Sequence, residues 1–157
     1  MQLFIIIILV ISFGFAFIGI TTNYWYQSPS NEFNEGLWVI CRLHASTAHS
    51  STISEVCDKI PYFKSQGLAI TGIIFLSISI ILSTIQRYKK TDRLLAYLTI
   101  TTLTLDTLLL ILSCLLFPRE MNIRRLGYSL SFVLCSSLLS FLTIGLVAFN
   151  ARTSQSI

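Results

Sequence analysis

Apolar residues fall in four long runs separated by shorter polar stretches, at residues 3–21, 67–85, 94–117 and 128–149. Each run has at least 19 residues, and an α-helix needs roughly 20 to cross roughly 30 Å of hydrocarbon. The first run contains seven consecutive apolar positions from Ile5 to Ile11. That excludes the period-two alternation and ten-residue length of barrel strands, so each run reads as a helix. Only one ionisable residue, Asp106, lies inside any of the four runs. The pattern predicts an all-α membrane protein, with residues 1–157 forming one four-span bundle.

Composition agrees with this pattern. The chain is 54% hydrophobic and 11% charged, whereas soluble domains carry about a quarter charged residues. Its net charge is +4, but the Lys and Arg residues lie scattered between apolar blocks. They form no basic stripe with interleaved aromatics, so no nucleic-acid partner is expected; the lipid bilayer is the expected environment. The first span has no cation ahead of it and no small-x-small site after it, so it is expected to be retained and not cleaved as a leader.

With four spans, both termini share one side with loop 86–93, and loops 22–66 and 118–127 lie opposite. Loop 86–93 carries Arg87, Lys89, Lys90 and Arg93, the density expected of a cytoplasmic loop. A count over all segments leaves the charge rule undecided. Five cations fall on that side once Arg152 of tail 150–157 is included, against six on the other: Arg42, Lys59, Lys64, Arg119, Arg124 and Arg125. Cys41 and Cys57 favour one solution. They are the only cysteines in polar segments and share the longest loop, which suits a disulfide in an oxidising compartment; two free thiols are the alternative. Loop 22–66 is then extracellular and both termini are cytoplasmic.

Along that loop the order is Trp25, ten residues, Gly36-Leu37-Trp38, two residues, Cys41, fifteen residues, Cys57. This resembles the W…GLW…C…C pattern in the first extracellular loop of the claudin and peripheral myelin protein superfamily. The ten-residue gap after Trp25 is similar to the epithelial membrane protein and peripheral myelin branch. The resemblance implies a left-handed four-helix bundle capped by an extracellular antiparallel sheet, mostly from loop one with a part from loop two. Residues 37–41 are rich in strand formers and Gly36 suits a turn. The fifteen-residue cysteine spacer is longer than the family's usual one and leaves strand lengths open. Trp25 and Trp38 read as interface anchors or sheet-core residues, or as contacts with a partner.

Asp106 sits mid-span with Thr99, Thr102 and Ser113 near the same helical face, a polar stripe that should turn into the bundle. With no cation in any span, Asp106 is expected to be protonated and hydrogen-bonded to hydroxyls on spans two or four. An ion or proton pathway is the competing reading. Ser12, Ala16 and Gly19 form a small-residue face for close helix packing within the chain, or for self-association. Cys114 and Cys135 read as small apolar packing residues.

Cys41, His44 and His49 lack a second ligand pair, so no metal is expected. No nucleophile–base constellation or phosphate loop is visible, and no catalytic residue, cofactor or enzyme activity is expected. There is no N-x-[ST] sequon, and Gln155 stands where a PDZ ligand needs Ser or Thr. The expected role is structural and adhesive: a plasma-membrane protein organising cell–cell contacts or a paracellular barrier at cell junctions, by self-association in cis or trans. Loop 22–66 has a net charge of minus one, which favours a barrier over a charge-selective pore. The alternative is an auxiliary subunit of an ion channel or receptor.

Overall fold

The computed structural model of the chain describes residues 2–27, 33–45, 53–60, 63–88, 93–117 and 127–153. The described elements are α1 (Gln2–Thr21), β1 (Tyr26–Gln27), β2 (Phe33–Glu35), β3 (Val39–Ala45), β4 (Ile53–Lys59), α2 (Phe63–Tyr88), α3 (Arg93–Leu116) and α4 (Tyr128–Thr153). All four helices are long and apolar enough to cross a membrane.

Their outward faces carry Leu, Ile and Phe, including Phe4, Ile81, Leu108 and Phe141, while many inward positions are small or hydroxylated. The buried positions of α2 are Ser65, Ala69, Gly72, Leu76, Ser79, Ser83 and Gln86, with Gln66 beside the first. They alternate steps of four and three, a 3.5-residue repeat that keeps one face of a helix against its neighbours along its length. Helix α3 repeats the steps through Ala96, Thr99, Leu103, Asp106, Leu110 and Ser113. Small residues at such seams let backbones approach closely. Hydroxyls bond across them where lipid would leave these groups unsatisfied.

Helix α2 is longer than its apolar run, starting four residues earlier and ending three later. Tertiary contacts explain the added first turn. Ser65 Oγ donates to the Ser113 carbonyl at 2.8 Å, and Ser113 Oγ donates to the Ser65 carbonyl at 2.9 Å. This reciprocal clasp ties the start of α2 to the end of α3.

The strands form one antiparallel sheet in the order β1-β2-β3-β4. β3 and β4 are seven residues each, so the long cysteine spacer becomes a hairpin whose turn, residues 46–52, lies outside the described residues. Leu37 and Trp38 were expected in a strand with residues 39–41, but the strand starts at Val39. Gly36 N–H donates to the Val39 carbonyl at 2.9 Å, and this turn withdraws the Leu37-Trp38 pair from the ladder. The strand expected from loop two falls in residues 118–126, outside the described residues. Where that loop re-enters α4, Gly127 N–H donates to the Trp25 carbonyl at 2.8 Å.

Candidate functional site

The last carbonyls of a helix have no intrahelical donor, and a helix ending at a membrane boundary must find donors elsewhere. At the end of α1, Trp25 Nε1 donates to the Gly19 carbonyl at 2.7 Å and Trp38 Nε1 donates to the Ile20 carbonyl at 2.8 Å. Thr22 N–H and its hydroxyl both reach the Ile18 carbonyl, at 3.1 Å and 2.7 Å. The two tryptophans thus cap the first helix from the sheet side. Their position in the motif has a local cause: Trp25 leads into β1, and Trp38 is carried back over α1 by the Gly36–Val39 turn.

Trp25 is 1% exposed, and its ring lies 5.1 Å from that of Phe117 at the end of α3. Its backbone N–H donates to the Glu35 carbonyl at 2.9 Å. Gly36 is required by close approach, since a Cβ there would lie 2.6 Å from Asn23 Cα. Leu37 is fully buried in the core. Its carbonyl accepts from Gln66 Nε2 at 2.9 Å, and the same Gln66 nitrogen reaches the Ile60 carbonyl at 3.0 Å. Gln66 therefore fastens both the motif turn and the end of β4 to α2. Sequence reading left it unremarked; the available signal was a long amide at the mouth of an apolar run.

Cys41 and Cys57 stand directly opposite in the β3–β4 register and are joined by a disulfide. Trp25, Gly36, Leu37, Trp38, Cys41 and Cys57 thus form one connected unit. The first four seat the sheet on α1 and α2, and the cysteine pair closes the hairpin that projects from this seat. Arg42, Val56, Asp58 and Lys59 are exposed on the hairpin. Among the described residues, no strand pairs with the outer edge of β4. His49 lies outside the described residues.

Inside the bundle the predicted polar stripe divides between two neighbours. Thr102 Oγ1 accepts from Ser79 of α2 at 2.8 Å, Ser113 joins Ser65 of α2 in the clasp, and Thr99 donates to its own Leu95 carbonyl at 2.8 Å. Asp106 instead faces α4, where Ser140 Oγ donates to its Oδ2 at 2.9 Å. Its Oδ1 is buried with no partner among the described residues. Ser140 Oγ in turn lies 3.2 Å from Ser12 Oγ of α1, and Ser12 Oγ lies 2.9 Å from Ser136 Oγ. Ser12 Oγ donates its proton to the Ser136 carbonyl at 3.0 Å, while the Ser140 proton is directed at Asp106. The result is a buried hydroxyl chain linking α1, α4 and α3.

Ser12, Ala16 and Gly19 are all buried. Ser12 bonds Ser136 and Ser140, and a Cβ on Gly19 would lie 2.7 Å from the Ser129 carbonyl oxygen. The small-residue face is therefore occupied by α4 of the same chain. Cys114 is half-buried as expected of a packing residue, but Cys135 is exposed on the bundle surface. The packing expectation for Cys135 is thereby corrected: the α4 seam runs through Val133, Ser136 and Ser137 and leaves position 135 outside.

This arrangement suits packing. Asp106→Leu removes the acceptor for the Ser140 hydroxyl and is expected to lower the unfolding free energy in detergent by about 1 kcal/mol, whereas Asp106→Asn keeps an acceptor and should change it by less than about half that. Equal losses in the two variants would contradict the hydrogen-bonding role. No family model matches this chain, and no curated protein matches it.

Proposed function

We propose that the chain spans the plasma membrane four times and presents the disulfide-closed sheet outside the cell as a structural contact surface, in the manner of the claudin and peripheral myelin protein superfamily. The 3.5-residue seams on α2 and α3 support a left-handed bundle, because that repeat keeps neighbouring helices in register only if they supercoil in that sense. The orientation is supported at both ends. The Cys41–Cys57 disulfide belongs on an oxidising side, while Arg87 closes α2, Arg93 opens α3 and Arg152 lies in the last turn of α4, which gathers cations at the opposite end.

One observation carries the adhesive reading. The sheet is fastened to the helix ends by two indole N–H groups and by Gln66, while the β4 edge carries exposed Val56, Asp58 and Lys59. A fastened seat beneath a strand edge that is open among the described residues is the geometry of a protein-contact element, since such an edge offers backbone groups to another chain. Glu35 is 2% exposed and contributes no charge to that surface. A mixed-sign face of this kind favours a seal or contact over an ion-selective pore. The role is non-enzymatic and needs no cofactor, and the partner is a second copy in the same or an apposed membrane.

In a mixture of expressing and non-expressing cells that do not otherwise adhere, the protein is expected to concentrate where two expressing cells meet. The Cys41→Ser/Cys57→Ser variant, brought to equal surface abundance, is expected to lose that enrichment. Uniform surface staining of the native chain would remove the adhesive reading and favour an auxiliary subunit of a channel or receptor, which co-purification of a larger partner would reveal.

A further inference from the structure

At the end of the bundle opposite the sheet, α3 and α4 separate around a cavity of about 220 Å³. Its rim carries two cations, Arg93 in the first turn of α3 and Arg152 in the last turn of α4, with Tyr97 beside them. Its floor is apolar, lined by Ile100, Ala148 and Ala151. Small side chains on the α4 side open the gap. Both guanidinium groups are exposed, and neither has an ion-pair partner among the described residues. The first amide groups of α3 add positive character at the same level.

Two arginines above an apolar floor, at the level where helices leave the hydrocarbon, match a ligand with an anionic head and a hydrocarbon body. The cavity is below the roughly 300 Å³ at which pockets for whole small molecules begin. It suits a headgroup with the first part of a chain, the remainder lying along the outer helix faces. Basic pockets between spans on the cytoplasmic side are where anionic headgroups bind.

We propose that Arg93 and Arg152 hold the phosphate of an anionic phospholipid of the inner leaflet, with its acyl chain entering between α3 and α4 over Ile100 and Ala148. The inference rests on the membrane-spanning reading and is independent of adhesion. Guanidinium forks bond phosphate oxygens in pairs, so one headgroup would link the first turn of α3 to the last turn of α4.

The test uses the full chain purified in detergent, titrated by native mass spectrometry with short-chain phosphatidylserine, short-chain phosphatidylcholine and glycerophosphoserine. Phosphatidylserine is expected to bind about tenfold more tightly than phosphatidylcholine, and glycerophosphoserine, which has no chains, to bind far more weakly than either. Arg93→Gln/Arg152→Gln is expected to weaken phosphatidylserine roughly thirtyfold and phosphatidylcholine, which shares the phosphate but has no net charge, only about threefold, while leaving the unfolding midpoint unchanged. Arg87→Gln, at the same end but outside the cavity, should weaken it by less than about threefold.

Undiminished phosphatidylserine binding in the double variant, or an equal loss in Arg87→Gln, would overturn the site. Tight binding of glycerophosphoserine would reassign it to free anions. A chain that stays monodisperse without detergent would instead remove the membrane-spanning reading.

Discussion

Trp25→Ala is expected to destabilise the protein by about 3–5 kcal/mol in detergent unfolding, the range for removing a buried aromatic from a packed core. Two effects combine at this residue. The ring is almost fully buried against Phe117, so truncation opens a void where α1, α3 and the sheet meet. The indole N–H is also a donor to the Gly19 carbonyl, so truncation leaves an acceptor at the end of α1 without its partner, a loss of about 1–3 kcal/mol where water cannot enter.

Trp25→Phe separates the two. It keeps most of the ring and removes the N–H, so it should lose only the smaller amount. If Trp25→Phe proves as damaging as Trp25→Ala, the capping bond dominates; if it is neutral, the cap contributes nothing and the motif tryptophan is there for packing alone. Trp38 is half-buried and lies over the next carbonyl, that of Ile20. Its replacement by Phe should show the capping loss with a smaller packing component.

Gly19→Val is the second large effect, with an expected loss of about 3 kcal/mol or more. A Cβ at this position would come within 2.7 Å of the Ser129 carbonyl oxygen and 2.7 Å of Val133 Cγ2. The first of these is α4 backbone and cannot rotate away. The helices must part, and parting them strains the hydroxyl contacts between Ser12 and Ser136 deeper in the same interface. The clash also displaces the Gly19 carbonyl that Trp25 caps, so Gly19→Val and Trp25→Ala act on one junction. Their combined effect should fall short of the sum of the two. Gly14→Val supplies the control: a Cβ there meets nothing within 4 Å, and unfolding should be little changed. Equal damage at positions 14 and 19 would show that helix propensity is responsible and that the α1–α4 contact is not.

Much of the fold is legible in the chain because the relevant signals are local. Span length follows from runs of apolar residues. The Cys41–Cys57 pair was readable because the two cysteines are alone in the polar segments, and the structure places them opposite one another on adjacent strands. The face of α1 holding Ser12, Ala16 and Gly19 was readable because small residues at steps of four and three have one dominant use in a helix.

The same periodicity gives a side of a helix but no neighbour. A buried face is broad enough to touch two helices at once, so the stripe on α3 could be identified without revealing that Thr102 and Ser113 meet α2 while Asp106 turns to α4. The tryptophans show the same division. Residue type and placement gave them as anchors, but the carbonyls they cap depend on the Gly36–Val39 turn and on the approach of Asn23, contacts between segments that share no local pattern. Gln66 passed unnoticed because its partners, the Leu37 and Ile60 carbonyls, are backbone atoms, which carry no sequence signature. The sequence by itself determined how many helices there are, where their apolar cores lie and which face of α1 and of α3 is small or polar; only the tertiary structure decided how far α2 extends and which helix each face meets, because that depends on the contacts and relative rotation of packed helices, which no single helix specifies.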